Sequence, residues 1–281
     1  MNGFRGLALV ALILLLSAFS AGAVENVGGL FDIGISARGE GLGGGYSALV
    51  DDETAVLYNP AALGWYKGLG LSSIFTRQFG VASYGSIGLA GSYVGIDLLF
   101  LESGPISSGD DTFNYASQGI VAAIGIPLGN AAVGIRWRYL NVSSPFTGSG
   151  WAIDPAILVV TDTVRVALLY EGAASAPVGY STGGSDPWES SLRLGLALTL
   201  SPTPGVLWNA TFEASGLFSS ASALSGGIET WIGGIGARIG YDGDGPTFGL
   251  SIRFTALEID WAYTTRSDLG DTHRVSLSLR F

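Results

Sequence analysis

The sequence predicts an all-β chain: a transmembrane antiparallel β-barrel of about fourteen strands with an N-terminal hatch, or plug, inside its lumen. Three observations carry that expectation. Apolar residues recur at every second position through most of the chain. The links between the alternating segments are short at one end and long at the other. A glycine-rich stretch, 37–65, does not alternate and has to be accommodated elsewhere in the fold.

Composition narrows the function classes first. Gly numbers 44, charged residues make up 13% and hydrophobic residues 48%. That apolar fraction separates the chain from disordered low-complexity sequences, which are poor in large apolar side chains. A net charge of −10 excludes a nucleic-acid partner, because phosphate binding needs clustered Lys and Arg. The absence of Cys excludes a disulfide scaffold and a thiolate metal site.

Residues 1–23 have the parts of a signal peptide: Arg5 in the n-region, Leu7–Leu16 as the apolar run, and Ala21-Gly22-Ala23 as the cleavage site. The apolar run is shorter than the ~20 residues of a spanning helix. Export is therefore expected, with the mature chain starting at Val24. The division is then 1–23 signal peptide, 24–66 hatch and 67–281 barrel, located in the outer membrane of a diderm bacterium.

From Lys67 onward the period is two. Val275, Leu277, Leu279 and Phe281 alternate with Arg274, Ser276, Ser278 and Arg280. Leu257, Ile259, Trp261 and Tyr263 alternate with Glu258, Asp260, Ala262 and Thr264. Such a pattern gives strands with one apolar and one polar face. A soluble sandwich alternates too, but three features favour a membrane barrel. Segments of roughly ten residues suit tilted spanning strands. Aromatic residues rim the apolar faces (Trp137, Tyr139, Trp208, Trp231, Trp261, Tyr263), as interfacial girdles do. The links also have parity. Short ones follow even-numbered strands, near 89–91, 129–130, 161–163, 201–205, 232–234 and 255. Every long one follows an odd-numbered strand: 102–115, 143–150, 172–189, 216–222 and 266–271. Short turns on one side and longer loops on the other is the outer-membrane pattern. The terminal Phe281 resembles the C-terminal assembly signal of bacterial outer-membrane barrels.

If the apolar series faces lipid, the other series faces the lumen. Arg136, Arg138, Arg238, Arg253, Glu258, Asp260 and Arg274, with Asp97, Asp154, Arg165, Glu171, Arg193, Glu213, Glu229 and Arg280, then form a nearly balanced internal charge network. Buried charges persist when paired, and Glu258 and Asp260 are expected to pair with Arg253 and Arg274 on the flanking strands. The network either fixes a plug to the wall or lines a polar constriction. The outer loops are acidic, with Glu102, Asp110, Asp111, Asp186, Glu189, Asp242, Asp244, Asp268 and Asp271 against Arg77 and Arg266. Asp242-Gly243-Asp244-Gly245 lacks the downstream Glu of a calcium loop, so no metal site is assigned.

No catalytic residue or cofactor is expected. His273 is the sole imidazole and falls on the outward series, away from any Ser-His-Asp arrangement. Glu258 and Asp260 have Arg on both neighbouring strands, which opposes the raised pKa of a general acid. Gly41–Gly45 lacks the Lys of a phosphate loop.

The stretch 24–66 is too rich in apolar residues to be a loose leader. Asp51 or Asp52 can cap a short helix running through Tyr58. Asn59 is pushed out of the helical region by Pro60, which can open the next turn. The glycines allow backbone to pass close to backbone. Ala37-Arg38-Gly39, Gly41-Leu42-Gly43-Gly44-Gly45-Tyr46, Asp51-Asp52, Ala55-Val56 and Asn59-Pro60-Ala61-Ala62-Leu63 resemble the N-terminal hatch of FadL/TodX-type outer-membrane transporters. They resemble still more closely the A-R-x-x-G-x-G-G-x-x-x-A-x-x-D-D-x-x-A-x-x-x-N-P-A-x-L pattern of PorV/PorQ-like relatives. Beyond this stretch the resemblance rests on architecture.

The resemblance implies a fourteen-stranded barrel with a hatch, and passive passage of small hydrophobic compounds past it, often through a lateral opening. PorV-like members serve instead as outer-membrane partners of protein secretion systems, and a mainly structural, permanently closed barrel is a third reading. The partners implied are outer-membrane lipid, a hydrophobic small molecule, or secretion-system proteins. The sequence departs from the fatty-acid transporters in its shorter outer loops. It shows no Pro or bulge in the third strand (Ser92–Leu101) to mark a wall kink, although Gly95 would accommodate one. A continuous apolar tunnel above the hatch would accord with transport, and a salt-bridged, filled lumen with the other two readings.

Overall fold

The computed structural model describes residues 27–108, 111–144, 146–219, 222–266 and 270–281. The expected signal peptide, Asp110 and Asp268 lie outside the described residues. Short helices at Gly29–Asp32, Ala37–Gly41 and Ala55–Tyr58, and a 3-10 turn at Pro60–Gly64, come first. The strands follow: β1 (Leu69–Gln78), β2 (Ala82–Gly91), β3 (Val94–Ser103), β4 (Ile106–Ser108), β5 (Asp111–Phe113), β6 (Ala116–Leu128), β7 (Ala131–Ser144), β8 (Gly148–Val160) and β9 (Val164–Glu171). The second half holds β10 (Ala174–Tyr180), β11 (Ser185–Asp186), β12 (Ser191–Thr203), β13 (Val206–Leu217), β14 (Ala223–Ile232), β15 (Ile235–Tyr241), β16 (Pro246–Arg253), β17 (Leu257–Arg266) and β18 (Gly270–Arg280). Among the described residues no helix is long and apolar enough to cross a membrane.

Fourteen of these strands close an antiparallel barrel, the closing pair being β1 with β18. Closure leaves no unpaired edge around the belt, which is what hydrocarbon demands of a sheet. The parity of the links appears in the coordinates: turns after even-numbered wall strands occupy 92–93, 129–130, 161–163, 204–205, 233–234 and 254–256. The chain therefore starts and ends its wall on the short-turn side, where Leu69 and Phe281 exchange backbone hydrogen bonds at 3.1 and 2.9 Å.

Along each strand the apolar series points outward. Leu98 is 52% exposed, Ile228 58% and Leu250 54%, a continuous belt that water would penalise and lipid would not. The alternate residues are buried, the pattern along β18 reading exposed and buried in turn.

Three expectations need correction. The turn after β2 is Ser92-Tyr93, not 89–91, so the third strand is Val94–Ser103; residues 89–91 lie within strand β2 and pair with β3. That strand carries no bulge, in line with the sequence: β3 pairs without a register shift on both sides, and Gly95 makes room for Val56 of the N-terminal segment. The links at 102–115 and 172–189 are not simple loops. The first contains the β4–β5 hairpin, and the second continues the wall, with β10 taking over the edge of β8 where β9 leaves it. Pro177 falls at the register shift between Ala176 and Gly179, the place in a strand where a missing N–H is tolerated. Finally, Trp231 is buried and faces inward, on the same side of β14 as Glu229, as a period of two requires.

Residues 29–66 are almost wholly buried and touch the inward faces of strands on both sides of the barrel, so they occupy the lumen. Leu42, Tyr46, Leu49, Val56 and Leu63 pack there with Ile74, Leu99, Val121, Leu158 and Leu169 of the wall. This luminal cluster is the protein's apolar core.

Candidate functional site

The site is the seam between the N-terminal segment and the inner wall. Its local turns follow from the sequence. Ser36 caps the helix at Ala37–Gly41, accepting the Gly39 N–H. Asp52 accepts from the Thr54 N–H at 3.0 Å, from the Thr54 hydroxyl and from Tyr46 Oη at 2.6 Å. It therefore fixes the turn before the helix at Ala55–Tyr58, while Thr54 occupies the cap position itself. Asn59 is extended, with φ −162°, and its Oδ1 accepts the Ala61 N–H while its Nδ2 donates to the Ser47 carbonyl at 2.9 Å. Pro60 then opens the 3-10 turn. Gly43 has φ +73° and presses against the Tyr241 backbone, a place closed to any side chain on both counts. Gly44, φ +77°, completes the same turn.

Arg38 joins this motif to the wall. Its Nε and Nη2 donate to the two carboxylate oxygens of Glu229, both at 2.9 Å, and its Nη1 reaches Asp51 at 2.8 Å and Asp52 at 3.4 Å. Glu229 also receives Arg238, and the Arg238 guanidinium contacts Ser251 and lies 3.7 Å from Asp260. Trp231 stands under three guanidinium groups, those of Arg38, Arg238 and Arg253, at 5.8, 5.3 and 4.2 Å from its ring centre, close enough for cation–π attraction. Arg253 pairs with Glu258 at 2.7 Å, and Arg280 bridges Glu258 at 2.8 Å and Glu53 of the plug at 2.9 Å.

Arg274 does not pair with either carboxylate of β17. It sits opposite Ala262 in the register and reaches Thr264 at 3.0 Å and Glu40 of the plug at 3.7 Å. Asp260 is held by the hydroxyls of Ser251 and Ser276.

A second cluster lies across the lumen. Asp154 receives Arg136 and Arg138, each at 2.7 Å, and Arg136 also reaches Glu171 at 2.6 Å and the Leu57 carbonyl. The Arg138 guanidinium lies between the rings of Phe31 and Trp188, at 5.5 and 5.0 Å. Trp188 belongs to the segment that packs on Gly172, where the wall parts: β10 stays with β8 while β12 stays with β13. The weak alternation of 172–190 hid this feature from a reading by period. Glu229 and Arg280 carry plug-to-wall bonds, and inward parity was the signal that pointed to them; Glu53, in the segment that does not alternate, had no such signal.

The inner wall is two-faced. Strands β13–β18 turn inward Glu213, Glu229, Arg238, Glu258, Asp260, Arg274 and Arg280, and most of the plug's polar anchors end there, including Ser47 N–H on Glu213 and Ala37 N–H on Ser276. Strands β2, β3 and β6 turn inward Tyr84, Ala90, Leu99, Val121 and Ala123. On that arc the plug is seated by shape: Leu30 and Phe31 over Gly119, Val56 on Gly95, and the 3-10 turn on Gly125. Asp97, on β3, is fully buried there, and neither carboxylate oxygen has a hydrogen-bond partner. Above the plug an open vestibule of about 630 Å³ is lined by Phe31, Leu57, Tyr58 and Trp188 together with Arg136, Arg138, Arg193 and Glu171.

Asp242 accepts the N–H groups of Asp244 and Gly245 at 3.0 and 2.8 Å, so this loop carboxylate serves turn closure. His273 is exposed on the outer wall beside Trp261 and Tyr263.

No protein-family model matches the chain, and no curated protein matches it in sequence. Its fold does match solved structures. The CymD monoaromatic hydrocarbon channel superposes with a TM-score of 0.56 at 12% identity, over 89% of this chain and 98% of that one. A Pseudomonas aeruginosa FadL homologue gives 0.50 at 11% identity, over 88% and 98%. The fold of this chain is thus that of the FadL-type outer-membrane channels.

Proposed function

We propose that this protein is an outer-membrane channel through which small hydrophobic molecules pass between the N-terminal hatch and the apolar arc of the wall. The observation that carries this reading is the two-faced lumen. Ion pairs anchor the hatch to β13–β18. Against β2, β3 and β6 it rests mainly on aliphatic and glycine surfaces, and the polar groups there, Tyr84, Ser86, Asp97 and Ser117, make no hydrogen bond to it through their side chains. A boundary of that kind separates at the apolar side first, because dispersion contacts are individually weak while breaking a buried ion pair leaves an unpaired charge. An apolar solute entering the gap replaces the contacts it displaces. The fold shared with a hydrocarbon channel supports the same reading. The vestibule above the hatch is of mixed lining and not a continuous apolar tunnel, so passage requires the hatch to yield.

The test uses vesicles with lipopolysaccharide in the outer leaflet, where apolar solutes cross slowly unaided. The protein should accelerate entry of a monoaromatic hydrocarbon, and removal of residues 24–66 should convert it to an open, ion-conducting pore. If the intact protein admits no hydrophobic probe while the deletion opens a pore, the transport reading fails and a structural barrel remains.

The second reading, a PorV-like partner of a secretion or assembly system, draws on the density of the anchors, since Arg38, Glu53 and Leu57 are all fixed to the wall. A permanently seated hatch would present one fixed surface to another protein. Cross-linking in cells that recovers secretion components in fixed ratio would favour it.

A further inference from the structure

The outer wall carries a groove on its lipid-facing side that the transport reading does not use. Its volume is about 440 Å³, within the ~300–1,000 Å³ range of small-ligand sites. One small residue opens it. Ser73 of β1 stands between Leu277 and Ile87 in an outward row, while in the next row the Phe100 ring folds over Gly85 of β2 and forms one side. The result is a slot along the strands, walled by Ile87, Phe100 and Leu277.

The slot is not uniformly apolar. Arg77 and His273 line its far end. They face each other across β1 and β18, one step beyond the Thr76–Arg274 pair, at the end away from the short turns and therefore at the outer leaflet. Both are exposed. Arg77 spends only its Nε on the chain, on the Gly80 carbonyl at 2.8 Å. Of the nearby acids, Asp271 bonds to Tyr263 and Thr265 and is also attracted by His273, so a phosphate competes with it for the imidazole, and Glu102 stands two strands away with Ser83 between.

An apolar slot lying in hydrocarbon with a guanidinium and an imidazole donor at the headgroup level matches an acyl chain joined to a phosphate. We propose that this groove binds a phosphorylated, acylated lipid of the outer leaflet, lipid A of lipopolysaccharide, with an acyl chain over Ser73, between Ile87, Phe100 and Leu277, and a phosphate on Arg77 and His273. A phosphate there forms charge-assisted hydrogen bonds with both side chains. The direction follows from position, because the same groups at the inner leaflet would meet glycerophospholipid.

The full-length protein, purified in mild detergent, is titrated with bis-phosphorylated lipid A, with dephosphorylated lipid A and with phosphatidylglycerol, and bound lipid is counted by native mass spectrometry. Bis-phosphorylated lipid A should bind best. The double variant Arg77→Ala/His273→Ala should lose roughly thirtyfold in its affinity, at about 1 kcal/mol for each donor. Ser73→Leu, which fills the slot and keeps the face apolar, should lose binding with both donors intact. Heat-modifiable gel mobility verifies that each variant is folded. Equal binding of phosphatidylglycerol, unchanged binding by the double variant, or unchanged binding by Ser73→Leu would each overturn the proposal.

Discussion

At the scale of single residues, Glu229 is the point on which the luminal charges converge. It lies wholly buried and takes Arg38 from the plug and Arg238 from the wall. Replacing it with Ala leaves two buried guanidinium groups under-compensated, at a cost of ~3–5 kcal/mol. Glu229→Ala should therefore raise maleimide labelling of a cysteine placed at Gly44, whereas Glu229→Gln, which keeps part of the hydrogen bonding, should raise it less. Asp97 is the opposite case, a buried carboxylate whose oxygens have no hydrogen-bond partner. Asp97→Asn removes the charge at almost constant shape, and should raise the unfolding midpoint in detergent by the equivalent of about 1 kcal/mol or more; a lowered midpoint would mean that the charge has a structural role. Along the strands, residue-level facts were legible where parity decides them. Period two places Glu258, Arg253 and Glu229 inside. It also places Trp231 inside, a consequence that its aromatic character obscured. Partner choice was not legible, because it depends on register: Arg274 falls opposite Ala262 and so reaches across to Glu40.

At the scale of elements, the N-terminal segment behaves as a small folded body held by its own turns. Tyr46 and Tyr58 stack edge-on, 5.2 Å apart, inside it. Burial first, then the Asp52 carboxylate for Tyr46 and the Glu40 carboxylate for Tyr58, pushes both phenols well above their ordinary value. Because the seated form holds the proton more tightly, their contribution to seating is complete below pH ~10 and is lost as pH rises from there through their raised values. Tyrosinate absorbance should then place these two phenols, identified by their loss in Tyr46→Phe and Tyr58→Phe, among the late-titrating ones; if either variant loses an ordinary titration instead, the segment is not packed as described. The turn chemistry of Asp52, Asn59 and Pro60 was readable because each acts on its own backbone within a few residues. β10 was not readable: Ala174–Tyr180 is short, contains Pro177 and lacks a large apolar alternation, and it becomes a strand only because β8 extends past β9 and offers an edge.

At the scale of the whole molecule, a closed barrel with an apolar exterior has a lumen too wide for its own side chains, and the chain fills it with residues 29–66. That much followed from strand number and parity. The division of the inner wall into an ionic arc and an apolar arc did not, since it emerges only when strands far apart in sequence are set side by side. In the proposed function, that division lets the hatch yield on one side while staying anchored on the other. The chain has no cysteine, so a lock can be introduced cleanly. A Cβ at Gly95 of β3, on the apolar arc, would meet the Cγ2 of Val56 in the plug, which brings the two Cβ positions within reach of the ~3.5–4.5 Å separation of a disulfide. The direct test is hydrocarbon entry into lipopolysaccharide-bearing vesicles by the Val56→Cys/Gly95→Cys protein, oxidised and then reduced. A hatch that moves predicts entry abolished by oxidation and restored by reduction; equal entry in the two states would contradict it.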